Sequence, residues 1–306
     1  MGKINSTLKL GPGIAKNLAL GNATVRAIYE RRRIQQGFSP DKDQAEYPLT
    51  VFHTHAAALA PLRPAGLLDT DFLEIGPGGN VGVGLLMLLA GAKSVTCLDV
   101  APWMQGTGPE ALYAALVETA ARFPETYFVA PTLLERAHAD PAGLARELLG
   151  RIRYLYPVDI ATTTLPDASL DVIISHACFE HFPDPAGAIA QIARLLRPGG
   201  VTSHQVDLRD HRDFDHPLEF LYHSDAVWYL ATHNSPNQVR NRWRASEYRA
   251  AFEQQGFEVV SVQSTLDVTV TEEMRRQFFR HFQTMDLKDL GMVVILLVGR
   301  KKEAGG

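Results

Sequence analysis

A glycine-rich loop between two apolar runs is the feature that most constrains how this chain can fold. Phe72-Leu73-Glu74-Ile75 leads into Gly76-Pro77-Gly78-Gly79, and residues 80–89 are almost entirely apolar. This pattern predicts a short strand, a tight turn and a buried helix. Glycines let the backbone approach a ligand, and the first N–H groups of a helix can point at it. The loop alone leaves open a nucleotide site, including a dinucleotide site of the dehydrogenase type, or a tight turn without a ligand.

The rest of the chain alternates strand patterns with helix patterns. Strands are predicted at residues 94–99, 170–175 and 201–206, and Asp184-Pro185 begins a helix that Pro198-Gly199-Gly200 ends. Two β-rich runs, Phe257 to Val268 and Met292 to Val298, follow with a helical segment between them at Glu272 to Phe282. The alternation predicts a parallel sheet covered by helices on both faces.

Composition and charge exclude several classes of function. The 306 residues are 46% hydrophobic and 21% charged, with a net charge of −4, whereas nucleic-acid binding requires clustered positive charge. Nucleic acid is therefore not an expected partner. Cys97 and Cys178 are too few for a disulfide framework or a thiolate zinc site. The sequence shows neither a secretion leader nor a run near the ~20 apolar residues of a membrane span, so we expect a cytoplasmic protein.

We predict two parts in the chain. Residues 1–66 form an N-terminal helical arm or cap, and residues 67–306 form the main domain with an insertion at about 207–241. The arm has a thin apolar face, which favours a cap folded over the domain rather than a helix lying on a membrane. Its last helix, Thr50 to Leu62, carries His53 and His55. The insertion is rich in His, Asp, Arg and aromatic residues and is expected over the active-site edge. The oligomeric state, a homo-oligomer included, stays open.

An acidic residue ends the strand that follows the glycine loop. Asp99 closes the run Ser94-Val95-Thr96-Cys97-Leu98, and an acid at the carboxyl end of that strand can accept hydrogen bonds from both hydroxyls of a ribose. A capping role for Asp99 is the alternative. Dehydrogenases share both features, so the glycine loop and Asp99 do not separate the two classes.

Four later stretches make that separation: Asp159-Ile160-Ala161, Leu165-Pro166-Asp167-Ala168-Ser169-Leu170-Asp171-Val172-Ile173, Phe179-Glu180-His181-Phe182 and Leu196-Arg197-Pro198-Gly199-Gly200. With them, the region from about Asp71 to Val206 resembles the class I S-adenosylmethionine (SAM)-dependent methyltransferases, a family that includes quinone-biosynthesis and many natural-product enzymes. The resemblance implies a Rossmann-like α/β fold: a mostly parallel, seven-stranded sheet with a C-terminal antiparallel strand pair and helices on both faces. It also implies SAM as the cofactor and a small molecule as the methyl acceptor.

Carried onto this sequence residue by residue, the resemblance implies the following cofactor contacts. The amino-acid end of SAM would lie at Glu74, Gly76, Pro77, Gly78 and Gly79, the ribose at Asp99, the adenine at Val100, Asp159 and Ile160, and the path to the methyl group at Ser175 and His176. For Val100 and Ile160, packing in the core is an equal alternative.

Three histidines are the candidate catalytic bases. Methyl transfer from a sulfonium is an in-line displacement, so a base is needed mainly when the acceptor is a poorly acidic hydroxyl. Histidine suits this role because its pKa lies near neutrality. His176, His181 and His204 should all lie at the carboxyl edge of the sheet, where open α/β folds bind ligands. His211 is a further candidate, and His181 has a capping or orienting role as its alternative.

The acceptor is less constrained than the cofactor. The insertion carries aromatic residues that form either a stacking platform for a ring-shaped acceptor or packing under a lid: Phe214, Phe220, Tyr222, Trp228 and Trp243. Aromatics mixed with acids and arginines favour O-methylation of a sugar or glycosylated metabolite. The alternatives are a phenol, amine or carbon acceptor, a non-catalytic SAM-binding protein, and a nicotinamide oxidoreductase, against which the LPDASLDVI and RPGG segments argue.

The last two predictions concern a metal ion and an anionic group on the substrate. No metal is expected, because Ala177 stands at the first position of the Glu-x-x-Glu-His pattern with which some relatives bind magnesium. The remaining candidates for an ion, more simply explained as a polar loop, are Asp207, His211, Asp213, Asp215 and His216. Two basic patches, Arg31-Arg32-Arg33 and the group Arg240, Arg242 and Arg244, indicate either an anionic group on the substrate or solvated basic faces.

Overall fold

The computed structural model describes residues 2–36, 45–64, 66–103, 110–235, 239 and 241–303. Its centre is one sheet of seven strands in the order β3-β2-β1-β4-β5-β7-β6. The strands are β1 Asp71–Ile75, β2 Ser94–Leu98, β3 Ile152–Leu155, β4 Leu170–His176, β5 Leu196–Asp207, β6 Phe257–Asp267 and β7 Met292–Lys301. Strands β1 to β5 pair in parallel, and β7 pairs antiparallel with both β5 and β6. The predicted fold class is confirmed.

The described helices are α1 Gly2–Leu20, α2 Ala23–Gln36, α3 Glu46–Leu59, α4 Gly82–Leu89, α5 Glu110–Arg122, α6 Pro131–Ala139, α7 Pro141–Leu149, α8 Pro185–Leu195, α9 Asp225–Thr232, α10 Ala245–Gln254, α11 Glu272–Gln277 and α12 Leu287–Gly291. Helix α6 was not predicted. The helix predicted from Glu272 to Phe282 ends at Gln277, because the side chains of Phe278 and Phe282 both pack in a buried hydrophobic cluster. None of the helices in these ranges is long and apolar enough to cross a membrane.

Helices cover both faces of the sheet. On one face, α3, α4, α5 and α7 bury residues such as Phe52, Leu86 and Leu116 against the strands. On the other face, α8 and α10 bury Ile189 and Phe252. Each interior strand therefore has apolar side chains on both sides, which explains the nearly continuous apolar runs of β1 and β4.

A third core joins the N-terminal arm to the insertion. Leu10 of α1 is buried with Phe220 and Trp228. Asn17 donates to the carbonyl oxygen of Leu230 at 2.8 Å and accepts from the N–H of Asn234 at 2.7 Å. The arm thus folds back onto the chain, while the boundary between residues 1–66 and 67–306 stays a prediction.

The strand register brings the candidate residues to one edge of the sheet. Ile75, the last residue of β1, pairs with Leu98 of β2 and with Ser175 of β4. Ser175 in turn pairs with His204 of β5. The carboxyl ends of β2, β1, β4 and β5 consequently lie side by side, and the loops that follow them share one surface.

Candidate functional site

The loop after β1 requires glycine at two positions. Gly76 and Gly78 both have φ of 72°, a left-handed conformation that other residues rarely adopt. The N–H of Gly76 donates to the carbonyl oxygen of Leu98 at 2.8 Å, which holds the loop against β2. A Cβ atom on Gly76 would lie 2.7 Å from Sγ of Cys178. The segment after β4 therefore packs directly on the glycine loop.

Glu74 is a buried carboxylate beneath this loop. Its side chain is buried and accepts a hydrogen bond from the Cys97 thiol at 3.6 Å. Burial raises the pKa of Glu74 to about 8; the thiol hydrogen bond opposes the rise and the nearby Asp99 carboxylate adds to it. A cationic group placed beside Glu74 would favour the ionised carboxylate.

Asp99 lies at the end of β2, next to the glycine loop. It accepts hydrogen bonds from the N–H groups of Gly78, at 3.3 Å, and Ala101, at 3.2 Å. Burial raises its pKa to about 6, although these backbone hydrogen bonds oppose the rise. The glycine loop thus fixes the Asp99 carboxylate, and the loop and Asp99 are predicted to bind the same ligand.

The three residues predicted to contact adenine differ in exposure. Val100 is 59% exposed, whereas Ile160 is 1% exposed and lies in the core under α8. Asp159 is exposed, and its carboxylate caps the 3-10 turn Ile160–Thr162 by accepting from the N–H of Ala161 at 2.9 Å. Core packing therefore describes Ile160, while Val100 offers an apolar surface to solvent.

Ser175 and His204 form a buried pair between β4 and β5. The Ser175 hydroxyl lies 2.8 Å from Nδ1 of His204, and the Thr202 hydroxyl lies 2.5 Å from Nε2. The imidazole packs against Phe179 and Phe252, and burial lowers its pKa to about 3. His204 is thus a neutral ring, and both of its nitrogen atoms are hydrogen-bonded.

His176, one residue after Ser175, is on the opposite face of the sheet and is half-buried at its edge. Its Nδ1 atom lies 3.3 Å from Nε2 of His55, which belongs to α3. The rings meet edge to face with their centroids 5.4 Å apart, and Tyr47, also on α3, contacts His176 from another side. Ala177, the next residue, has φ of 50°. This strained turn directs the chain from His176 toward Cys178 and the glycine loop.

A second polar cluster follows the end of β5. Arg209 donates two hydrogen bonds, of 2.8 and 2.6 Å, to the Asp207 carboxylate. Nε2 of His211 lies 3.3 Å from the same carboxylate. Burial would raise the pKa of Asp207, but the hydrogen bonds from Arg209 and His211 hold it well below the ordinary range. The ring of His211 lies 5.3 Å from that of His181. Phe214, 55% exposed, stacks under the Arg209 guanidinium.

Comparison with known families identifies this arrangement. A model of the methyltransferase domain matches residues 47–262, which covers α3, the glycine loop, β4, β5 and the insertion. The chain belongs to the methyltransferase domain family.

Individual relatives of this methyltransferase are distant or match only part of it. A Mycolicibacterium smegmatis protein described as a probable S-adenosylmethionine-dependent methyltransferase is 39% identical over 75 residues, which are 20% of this chain and 29% of that protein. The match thus spans less than a third of the relative's length. A solved SAM-dependent methyltransferase from Mesorhizobium loti is 16% identical, with 81% of this chain and 100% of that chain covered and a TM-score of 0.43. One from Methanosarcina mazei is 15% identical, with 77% and 94% covered and a TM-score of 0.44.

The residues at the glycine loop fit SAM, the cofactor expected from the sequence. Glu74 is a buried carboxylate whose ionisation an ammonium group would stabilise. Asp99 presents a fixed carboxylate where a ribose diol would lie, and Gly76 leaves no room for a side chain between the loop and Cys178. The cofactor contacts carried over from the family remain proposals, residue by residue.

Sequence reasoning missed the contribution of α3. His55 is fully buried against His176, and its Nδ1 atom lies 2.8 Å from the Ser203 hydroxyl. Tyr47 is close enough to Glu74 and Glu180 that burial and these two carboxylates together raise its pKa above the ordinary value. A helix was predicted from Thr50 to Leu62, whereas α3 begins at Glu46 and ends at Leu59. Helix periodicity also does not say which strand the buried face of a helix meets.

Most aromatic residues of the insertion are packed away from the cofactor loop. Phe220 and Trp228 are buried together in the third core, and Trp243 packs on Tyr248. Trp228, Tyr229 and Trp243 line a cavity of about 650 Å³ whose wall includes none of the predicted catalytic or cofactor-binding residues. Phe214 alone of the predicted set stands in the Asp207 cluster. Packing therefore explains most of these side chains.

The second basic patch is structural where it is described. Arg244 is fully buried and donates to the carbonyl oxygens of Leu208, Leu290 and Met292. Arg242 is buried and donates to the carbonyls of Phe220 and His223. Neither the substrate anion nor the solvated face that we expected applies to these two residues, because their guanidinium groups satisfy chain carbonyls. Arg240 and the side chain of Arg33 lie outside the described residues.

Two of the acidic candidates in the insertion have hydrogen-bonding neighbours. Nδ1 of His216 lies 2.9 Å from the Asp213 carboxylate, and Arg209 and His211 contact that of Asp207. Within the described ranges no group of three His, Cys, Asp or Glu side chains is arranged to hold a metal ion. These pairs describe a polar loop closed by internal ion pairs.

Proposed function

We propose that this methyltransferase transfers a methyl group from SAM to a hydroxyl oxygen of a sugar or glycosylated small molecule. One observation supports the proposal: Cys178 packs on Gly76 of the glycine loop, and the strained turn at Ala177 connects Cys178 to His176. A histidine in that place supplies the base that an unactivated hydroxyl needs.

The chain's residues divide the work of holding the cofactor. The proposed contacts are Glu74 and the glycine loop for the amino-acid end, Asp99 for the ribose, and Val100 with Asp159 for the adenine. When bound, SAM supplies a methyl group activated by its sulfonium. A nucleophile in line with the S–C bond would attack the methyl carbon, and S-adenosylhomocysteine would leave. The chain must then align the acceptor oxygen and exclude water.

Of the predicted bases, His176 has the most suitable surroundings. His204 is enclosed, with both ring nitrogens hydrogen-bonded. His181 lies farther along the loop, with Nε2 3.8 Å from the buried Glu180 carboxylate and its ring against His211. These contacts suit His181 to orienting the acceptor rather than to accepting its proton. His176 accordingly takes the proton from the acceptor hydroxyl as the methyl carbon bonds to its oxygen.

The cluster after β5 supplies the acceptor contacts. Arg209 and His211 offer hydrogen-bond donors, and the exposed ring of Phe214 offers a flat apolar face. Sugars combine hydroxyl groups with apolar C–H faces, and this mixture suits them.

The free thiols of Cys97 and Cys178 support a reducing, cytoplasmic setting.

A direct assay tests the proposal. The purified protein is incubated with SAM and separate panels of sugars, glycosylated metabolites, phenols and amines, and release of S-adenosylhomocysteine is measured. Turnover with hydroxyl acceptors of the first two panels is expected. Turnover confined to phenols, amines or a carbon acceptor would overturn the acceptor class, and tight cofactor binding without turnover on any panel would favour a non-catalytic SAM-binding protein.

A further inference from the structure

Two histidines that are 121 residues apart meet at the edge of the sheet. Nε2 of His55 lies 3.3 Å from Nδ1 of His176, and Nδ1 of His55 lies 2.8 Å from Oγ of Ser203. The three side chains come from α3, β4 and β5. They form a continuous chain of hydrogen bonds from the interior to the surface at which the acceptor is proposed to bind.

The protonation of the inner ring is constrained. His55 is fully buried, and burial, with the nearby His176 and His204 adding to the effect, holds its pKa well below the ordinary value. His55 is therefore neutral and carries a single N–H. One of its nitrogens donates and the other accepts, so the hydrogen bond to Ser203 determines the hydrogen bond to His176.

The hydrogen bonds that link Ser203, His55 and His176 can run in two directions. If Nδ1–H of His55 donates to Ser203, then Nε2 of His55 accepts from Nδ1–H of His176. The lone pair of His176 is then on Nε2. In the reverse direction His55 donates to His176, whose lone pair then faces the interior. Only the first direction tolerates a second proton on His176, because the reverse would set two N–H groups against each other.

We propose that His55, held by Ser203, is a positioning residue that keeps His176 in the Nδ1–H form, so that Nε2 accepts the proton of the methyl acceptor. The inference rests on the proposed function, since it assigns a partner to the proposed base. The step balances: the hydroxyl proton moves to Nε2, the oxygen bonds to the methyl carbon as its bond to the sulfonium sulfur breaks, and S-adenosylhomocysteine leaves. The imidazolium later returns the proton to water. His55 gains and loses none.

Two substitutions separate positioning from packing. His55→Phe fills the space with an apolar ring and leaves His176 without its acceptor. His55→Gln keeps an amide that can accept from His176. We expect His55→Phe to lower kcat by about 10²- to 10⁴-fold, because the lone pair of the proposed base would no longer be held on Nε2. The KM for the acceptor and the affinity for S-adenosylhomocysteine should change less than about 3-fold, and His55→Gln should recover most of the rate. His53→Ala, on the exposed face of the same helix, is the matched control and should behave as the unaltered protein.

A second readout does not depend on turnover. Nitrogen-15 NMR of the ring of His176, in the complex with S-adenosylhomocysteine and without acceptor, reports which nitrogen carries the proton. The Nδ1–H form is expected in the unaltered protein and in His53→Ala, and its loss is expected in His55→Phe. Ser203→Ala, which frees Nδ1 of His55, should show a mixture of both forms. That variant also keeps the proposal testable if His55→Phe fails to fold.

Outcomes for the relay and for the base are distinct. If His176→Ala abolishes turnover while His55→Phe retains both turnover and the Nδ1–H form, the positioning role is wrong and the proposed base stands. If His176→Ala retains turnover, the proposed base is wrong, and the NMR result alone decides whether His55 sets the ring of His176.

Discussion

The two halves of the carboxyl edge are built differently. On the cofactor side, the carboxylate of Asp99 accepts from Gly78, 21 positions earlier. On the acceptor side, His55 contacts His176 and Ser203 across 121 and 148 positions. The cofactor site is a local strand–loop–helix motif with one strand beside it. The proposed acceptor site requires helix α3, strands β4 and β5, and the insertion to meet.

The halves also differ in charge. The cofactor side holds two buried acids whose pKa values are raised, Glu74 to about 8 and Asp99 to about 6. The acceptor side holds the neutral rings of His55 and His204 and the acid Asp207, whose pKa is lowered by its partners despite burial. The first half is suited to binding a cation and hydroxyl groups, and the second to moving a proton. Variants on each side should therefore separate binding from turnover.

The largest effect is expected at the proposed base. His176→Ala should lower kcat by about 10²- to 10⁴-fold while leaving SAM affinity nearly unchanged, because it removes proton acceptance and no cofactor contact. Rates with a hydroxyl acceptor and calorimetric SAM titration measure the two quantities. His204→Ala is the comparison: it should lower the melting temperature by leaving the Ser175 hydroxyl without its hydrogen-bond partner. Normal turnover in His176→Ala would mean that the acceptor is already nucleophilic, as a phenolate or amine is.

The complementary effect is expected at the ribose. Asp99→Ala removes the carboxylate proposed to bind the diol, at a cost of about 1.5–3 kcal/mol, or about 10- to 150-fold in Kd for SAM. Calorimetry measures it directly. Asp159→Ala, which removes an exposed acid at the adenine end, should weaken binding less. An Asp99 variant with unchanged affinity would remove the ribose assignment.

A stability effect is expected where the two halves touch. Gly76→Ala forces a side chain into φ of 72° and places its Cβ 2.7 Å from Sγ of Cys178, so the free energy of unfolding should fall by about 1–3 kcal/mol. Urea denaturation checks this value. In a Cys178→Ala background the part caused by the contact should be recovered and the part caused by φ should remain. An equal loss in both backgrounds would show that Cys178 does not press on the loop.

A pH dependence is expected on the cofactor side. Because the folded-state pKa of Glu74 is raised from 4.5 to about 8, the folded protein holds a proton that the unfolded chain releases. Its contribution to stability is complete below pH 4.5 and is lost as the pH rises toward 8, with a slope of at most about 1.4 kcal/mol per pH unit. Urea unfolding of the cofactor-free protein across this range should show that decline, and Glu74→Gln should flatten it. A parallel decline in the variant would contradict the raised pKa.

Motif reasoning was most reliable where structure is local. The glycine loop, the acid after β2 and the helix start at Asp184-Pro185 each depend on backbone conformation within a few residues, and all were predicted at their positions. The alternation of apolar runs also predicted the parallel strands, and the resemblance to class I methyltransferases implied the antiparallel pair β6–β7. Short-range sterics and hydrogen bonding determine these elements, and the sequence encodes both directly.

The histidines show where that reasoning ends. His176 and His204 both follow apolar strand residues at the same edge, and the sequence ranked them alike. Strand alternation and sheet register place His204 under Phe179 and Phe252 with both nitrogens bonded, and place His176 against α3. In the same way, Arg242 and Arg244 looked like surface charge but satisfy buried carbonyls. The sequence by itself determined the strand–loop–helix frame and its cofactor motif, because those follow from local backbone preferences. Only the tertiary structure decided which polar side chains are buried and which partners they meet, because those contacts depend on how distant helices and strands pack.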